Sequence, residues 1–326
     1  MFLRSLLLAK RQATRLADRL LYWNARINRK RLWRGIERHF DWNAIHIANV
    51  NFCNARCVFC GQHKFERKAQ MMSMQTFAAL AGDARKMGIK VMDFTPPLGD
   101  PLLDPGLLAK ARMAKSMGFE ELQMTTNGIL LRKWGAELLE PFNLIRLSIG
   151  GFSREAYKEA YQVDRYDEVI KGLKLALFCG HDNLRIHVFL RTGRPIAETV
   201  KSEDFLDCFT YPNFTFEQTN FYDNWGGAIQ PEELVGQMVM RPAKKKAGVP
   251  CIALFQFFAE HSGNIRLCGC RFKDTEDDEL VVGNIHEDPL ERILHPDNIM
   301  PLLRRFEDGA VVPKVCQDCT LYRPIS

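Results

Sequence analysis

The stretch Asn51-Phe-Cys-Asn-Ala-Arg-Cys-Val-Phe-Cys-Gly61 carries three cysteines, Cys53, Cys57 and Cys60, in a C-x3-C-x2-C pattern. A protein-held cubane iron–sulfur cluster normally takes four thiolates. Three thiolates from one loop hold three corners and leave one iron without a protein ligand. Such an open position is where a catalytic metal meets its substrate. A zinc knuckle is the alternative, but zinc sites usually pair two separated C-x2–4-C or C…H units. The next cysteine in this chain is Cys179. A disulfide framework fits worse, because three is odd.

Composition bounds what surrounds that loop. A chain of 326 residues, 46% hydrophobic and 26% charged, is ordinary for a water-soluble globular protein and long enough for one large domain plus a smaller one. Its ten cysteines gather near both ends, which reads as metal ligation in a reducing compartment. Leu6–Ala9 is too short for a signal peptide, and no run approaches the eighteen apolar residues of a membrane span. A cytoplasmic location follows as the expectation.

The charge is uneven. Residues 1–40 hold eleven Lys and Arg against Asp18 and Glu37, a net +9, so the other residues net −3 within the overall +6. Phe2, Leu6, Ala9, Ala13, Leu16, Leu20, Trp23 and Ile27 recur at helical spacing in this basic arm. Such a helix can lie peripherally on an anionic membrane surface or meet a partner through residues 1–30. The commoner use, and the expectation here, is that it packs its stripe on the barrel or on a partner subunit and leaves its arginines solvated. Without interleaved aromatics or a known motif, nucleic acid is not expected. The arm at 1–40 precedes a core at 41–235 and a small domain at 236–326.

The elements that must position the cysteines alternate in type. Strands are expected at 44–50, 89–94, 121–125, 144–149, 184–190 and 214–218. Helices fall between them, capped by Ser73 with Gly88 as the stop, and opened by Asp104-Pro105 with Gly118 as the stop. Alternating strands and helices imply an α/β fold with a parallel sheet and right-handed crossovers. Ligand sites in such barrels collect at the C-terminal strand ends.

With Phe59 before its last cysteine, the motif resembles the signature of the radical S-adenosylmethionine (SAM) enzymes. The resemblance covers roughly residues 44–230. It implies a partial (β/α)6, TIM-like barrel in which the open iron binds SAM. Reductive cleavage of SAM would then yield a 5′-deoxyadenosyl radical that abstracts hydrogen from the substrate, with an external flavodoxin- or ferredoxin-type reductant supplying the electron. Strand-end segments fit in order. Gly99-Asp100-Pro101 resembles the family's Gly-Gly-Glu-Pro, with Leu98 for the first glycine and Asp100 for the glutamate. Thr126-Asn127-Gly128 resembles its Thr-Asn-Gly turn, and Ser148-Ile-Gly-Gly151 its Ser-Leu-Asp-Gly. Arg191 ends the fifth strand. By this resemblance Phe59, Gly99, Asp100, Thr126, Asn127, Ser148 and Arg191 contact SAM.

Cys251, Cys268, Cys316 and Cys319 resemble the auxiliary-cluster domain called SPASM, in its shorter "twitch" form, a small α+β unit. Those four would fully ligate a second [4Fe-4S] cluster serving electron transfer or support. Phe221–Gly227 resembles the family's linker between the two parts. Cys270 is then an extra thiol beside Cys268, either a buried small hydrophobe or a hydrogen-atom donor to a substrate radical. Cys179 and Cys208 read as core. The resemblance implies an oxidoreductase or an epimerase acting on a small, sugar-like or alcohol-bearing molecule, with ribosomal-peptide modification as a further reading. A non-catalytic iron–sulfur or zinc protein is opposed by the strand-end series.

Overall fold

The structure, a computed structural model, describes residues 2–66, 68–269 and 278–326. Helices α1 (Phe2–Ile27) and α2 (Arg29–Arg34) precede the sheet. In β1 (Ala44–Ala48), Ile45 and Ile47 are fully buried, whereas His46 between them stays partly open on the other face. In β2 (Val91–Phe94) the intervening Asp93 is buried as well, and the alternation repeats in β3 (Glu121–Thr126), β4 (Leu144–Ile149) and β5 (Arg185–Leu190). Met92, Phe94, Leu122, Met124, Ile145, Leu147, Ile186 and Val188 bury one face against the helices.

The helices supply the matching stripes. Ser73 Oγ accepts from Thr76 N at 3.0 Å and opens α3 (Met74–Lys86), which buries Phe77, Leu80, Ala81 and Ala84. Gly88 stops it with φ +80°. The next helix, α4 (Leu107–Ser116), begins later than Asp104-Pro105 suggests, with Gly106 at its N-cap position. Asp104 Oδ1 still accepts from Gly106 N at 2.8 Å ahead of the helix, while its other oxygen joins a buried cluster described below. α5 (Leu131–Trp134), α6 (Arg154–Tyr161), α7 (Tyr166–Cys179), α8 (Ile196–Thr199) and α9 (Glu203–Phe209) complete the crossovers.

Strands β1 to β6 (Phe214–Gln218) lie parallel and in sequential order, the six-stranded partial barrel expected from the sequence. A short ribbon, β7 (Phe221–Tyr222) with β8 (Val239–Met240), stands apart. The C-terminal α+β part then rejoins the main sheet. β9 (Phe257–Glu260) pairs parallel with the free edge of β1, and β10 (Asn264–Leu267) and β11 (Val281–Asn284) continue it antiparallel to nine strands. β1 is thereby an interior strand, with the C-terminal segment hydrogen-bonded beside the strand that feeds the first cysteine loop.

One expectation is narrowed and another corrected. The apolar stripe of α1 does not pack on the barrel, so of the two protein surfaces expected for it only a partner's remains: Leu16, Leu20, Trp23 and Ile27 are exposed. Cys208 is buried as expected, but Cys179 is exposed. Among the described residues no helix is long and apolar enough to cross a membrane.

Candidate active site

The cysteine loop leaves β1 through Asn49, which is fully buried. Asn49 Nδ2 donates to Asp104 Oδ2 at 3.0 Å and to the Pro101 carbonyl at 3.3 Å. Lys110 Nζ donates to the same Asp104 oxygen at 2.6 Å and to the Met72 carbonyl at 2.7 Å. One buried ion pair therefore ties the end of β1, the loop after β2 and the entry to α3. The loop's own backbone is held from the other side: Arg56 N and Val58 N donate to the Tyr161 and Ala160 carbonyls at the end of α6.

The loop after β2 lies against the residues leading into Cys53. Asp100 N donates to the Phe52 carbonyl at 3.0 Å. Gly99 has φ +122°, and a Cβ there would meet the Val50 and Phe52 carbonyl oxygens at 2.9 and 3.0 Å, so only glycine allows this approach. Asp100, 2% exposed, accepts from Leu102 N (3.1 Å), Thr126 Oγ1 (2.9 Å) and Asn127 N (2.7 Å). Burial pushes its carboxyl up to about 6, against the pull of those donors. Asn127 Nδ2 donates to Asn54 Oδ1 at 2.7 Å and to Cys53 Sγ at 3.5 Å. Gly99, Asp100, Thr126, Asn127 and Cys53 thus meet in one buried corner.

The other strand-end residues gather nearby. Ser148 Oγ accepts from Tyr161 OH at 2.8 Å. Phe59 packs on Tyr161 and Tyr222, at 5.6 and 5.3 Å between ring centres. Arg191 lies 5.3 Å from the Phe189 ring centre. The Tyr222 hydroxyl is buried without a hydrogen-bond partner among the described residues, a polar atom left for a ligand. Position 150, where the resemblance would put aspartate, has no room: a Cβ would meet the Tyr157 backbone at 2.8 Å.

The three thiols suit a metal cluster. Burial raises Cys53 to about 12, with the Asp100 charge adding to it, and holds Cys57 well above its ordinary value, with Cys60 and Cys53 adding to that. Thiolates so placed need a cationic partner, which iron supplies. Among the described residues no three His, Cys, Asp or Glu side chains close on a single ion. A cubane places each thiolate on a different iron and spreads its ligands wider than one ion does.

Below the cysteine loop, the inner face of the sheet is polar where closed (β/α) barrels carry layers of Val, Ile and Leu. Arg146 of β4 donates to Asp93 of β2 at 3.0 Å and to Gln123 of β3. His46 Nδ1 of β1 stands 3.5 Å from Asp93 Oδ2, and its ring stacks on Phe258 of β9 at 4.5 Å. His187 Nδ1 of β5 and Thr215 Oγ1 of β6 are 2.8 Å apart. Burial alone would raise Asp93, but His46, Arg146 and Thr95 outweigh it and hold the carboxylate ionised. Burial lowers His187, and Arg146 adds to that against Glu217. This row was not singled out from sequence, although polar side chains at every second position of parallel strands were its signal.

The second cysteine group lies along the C-terminal part. Cys251 Sγ accepts from Arg323 N at 3.3 Å. Burial raises Cys316 to about 12, with Cys319 and Cys251 adding to it, while Lys246 and Arg266 work the other way. Lys246 donates to the Cys319 carbonyl at 3.3 Å and lies over the Tyr322 ring. Arg266, fully buried on β10, pairs with Asp278 at 2.5 Å and donates to the Cys268 carbonyl. These two cations were not read from the sequence. Cys268 is in the left-handed region, φ +54°. Cys270 lies outside the described residues. The linker joins the two groups: Trp225 Nε1 donates to the Phe59 carbonyl at 2.7 Å, and Asn224 Nδ2 to the Asp318 carbonyl at 2.8 Å.

Comparison with known proteins agrees with this arrangement. A family model described as the radical SAM superfamily matches residues 50–202, and one described as an iron–sulfur cluster-binding domain, SPASM, matches residues 251–320. A protein of Saccharolobus solfataricus named "Probable GTP 3',8-cyclase" is 34% identical over 137 residues, which are 42% of this chain and 44% of the relative. One of the same name from Sulfurisphaera tokodaii is 28% identical over 155 residues, 47% of this chain and 49% of the relative. The chain thus spans about half the length of the curated relatives it matches. Among solved structures, BtrN in complex with AdoMet and 2-DOIA is 15% identical with a TM-score of 0.51, covering 85% of this chain and 92% of that one. Streptococcus suis SuiB bound to the precursor peptide SuiA is 15% identical with a TM-score of 0.59, covering 91% and 74%. Native anSMEcpe with bound AdoMet is 14% identical with a TM-score of 0.57, covering 81% and 83%. At these identities the solved structures share the fold.

Proposed function

The chain belongs to the radical SAM superfamily and carries a SPASM-type iron–sulfur domain, and from that premise we propose that it oxidises a small polar molecule held against the inner face of its sheet. In this reading Cys53, Cys57 and Cys60 hold the SAM-binding cluster, and Cys251, Cys268, Cys316 and Cys319 a second one. When bound, the reduced first cluster splits SAM into methionine and a 5′-deoxyadenosyl radical, which removes a hydrogen atom from the substrate. A cluster held by Cys251, Cys268, Cys316 and Cys319 would supply an acceptor for the substrate's second electron, and with a proton released to solvent the two-electron oxidation would balance.

The chain's own side chains do the positioning. Asp100, fixed by Thr126 and Asn127, offers a carboxylate to the amino group of SAM beside Cys53. Phe59, Ser148 and Arg191 border the same end of the barrel, where Arg191 has a charge for the SAM carboxylate. Asn224 and Trp225 hold the two cysteine regions in one frame.

The observation that carries the substrate class is the inner row His46, Asp93, Gln123, Arg146 and His187. Asp93 and Gln123 already engage Arg146, so the row presents hydrogen-bonding groups of nearly balanced charge. It suits a polyhydroxylated or amide-bearing molecule. Among the described residues it lacks the surplus cations that the triphosphate of GTP, named for the partial relatives, would need. The test is anaerobic incubation of the reduced, reconstituted protein with SAM and a panel of polyols, aminosugars and GTP. Oxidised polyol or aminosugar with 5′-deoxyadenosine in equal amount is expected. Absence of 5′-deoxyadenosine under every condition would overturn the enzyme reading, and turnover of GTP alone would overturn the substrate class.

A further inference from the structure

Helix α1 is attached to the body by its polar side. Asp18 accepts from Lys244 at 2.8 Å, Arg26 pairs with Asp308 at 2.5 Å, Arg29 shares that carboxylate, and Ala25 is fully buried. At about 100° per residue, Leu16, Leu20, Trp23 and Ile27 fall on the opposite side, one stripe over three turns. They are 59%, 62%, 58% and 78% exposed. A helix that folds onto its own protein buries such a stripe; this one turns it outward and spends its ion pairs on docking. An exposed apolar stripe of this length marks an interaction surface.

What lies at the end of the stripe identifies the partner. Ile27, its last member, lines a hollow of about 310 Å³ together with Arg26, Arg29, Lys30, Arg31 and Arg34. Among the described residues no acidic side chain lines it, while Glu307 and Asp308 border the adjoining hollow that shares Lys30 and Arg34. Arg26 and Arg29 share Asp308, while Lys30, Arg31 and Arg34 have no carboxylate partner among the described residues. Arg19, beside the stripe, is exposed. The rest of the chain nets −3, so the chain's excess of positive charge is carried by this arm. Alkyl-seeking and phosphate-seeking surfaces, side by side and in line, match the two halves of a phospholipid.

We propose that α1 and the basic turn after it form a docking surface for an anionic phospholipid bilayer. The stripe enters the boundary between headgroups and acyl chains with the helix lying in the membrane plane. Lys30, Arg31 and Arg34 meet headgroup phosphates. The ion pairs to Lys244 and Asp308 keep the catalytic body fixed to the helix at the surface. This surface is independent of the substrate reading above.

The test uses the full chain and co-sedimentation with vesicles of phosphatidylcholine, with and without about 30% phosphatidylglycerol. Binding is expected only with phosphatidylglycerol, and should fall as salt rises. Each basic residue near an anionic surface is worth about fivefold in partition, so Lys30→Gln/Arg31→Gln/Arg34→Gln should weaken binding about 100-fold. Leu16→Ser/Leu20→Ser/Trp23→Ser should abolish it. Circular dichroism and unfolding midpoints matching the parent show that both variants are folded. Two results overturn the proposal: no binding to the anionic vesicles, or equal binding to the neutral ones. A concentration-dependent dimer that the stripe variant loses, with no vesicle binding by the parent, would assign the stripe to a second copy instead and equally overturn it.

Discussion

Lys110→Met tests how the buried ion pair supports the cysteine loop. Lys110 and Asp104 side chains are each 3% exposed, so water cannot replace either partner. Methionine is close to lysine in length and fills the space with little cavity. What is lost is the ammonium, with its bonds of 2.6 Å to Asp104 and 2.7 Å to the Met72 carbonyl. Asp104 keeps donors from Asn49 and Gly106 but becomes a buried carboxylate without a cation. Removing one partner of such a pair costs about 3–5 kcal/mol, and the two remaining donors place this case near 3. Adding Asp104→Asn removes the uncompensated charge and should return about 1–2 kcal/mol. Urea unfolding of the metal-free protein at unchanged m measures both. Asn49 and Met72 flank the cysteine loop, so the single variant should also retain less iron at Cys53, Cys57 and Cys60 than at the second group. A loss under about 1 kcal/mol, or a double variant no more stable than the single, would refute the argument that the unpaired charge is the cause.

Cys53→Ala/Cys57→Ala/Cys60→Ala should abolish 5′-deoxyadenosine formation and remove about four of eight iron atoms per chain, measured by iron assay on the reconstituted protein. Asp100 has its carboxyl raised to about 6, above its unfolded value, so its neutral form is favoured below that pH. The ionised form holds an ammonium group, so SAM affinity by equilibrium dialysis should climb as pH rises through about 6 and lose that dependence in Asp100→Asn. That variant should also bind roughly 10- to 100-fold more weakly, the size of one charge-assisted hydrogen bond. Lys246→Met removes a cation beside Cys316 and Cys319. It should lower the second cluster's reduction potential by on the order of 50–100 mV at an effective dielectric of about 20, followed by potentiometric electron paramagnetic resonance.

Read alone, the sequence determined what local spacing determines. Cys53-x3-Cys57-x2-Cys60 specifies a metal loop because three ligands within eight residues need no long-range folding to meet. Period-two runs such as Leu144–Ile149 and caps such as Ser73 specify strands and helices, because each depends on neighbours a few residues away. The motif at 99–100 and the turn at 126–127 were legible as pieces by resemblance. Their joining through Asp100 is a contact across 26 residues that spacing does not encode. Asp104 read as a cap, and one oxygen does accept from Gly106 N, but the other goes to Asn49 and Lys110, contacts that local spacing does not encode. Pairing of β9 with β1 is decided by which edge is free once the barrel has formed. The inner polar row exists only after register sets His46 opposite Asp93. The stripe on α1 was plain from its period, but periodicity says only that one face is apolar. Which face meets the body was decided by Lys244 and Asp308, more than two hundred residues away, and they took the polar one.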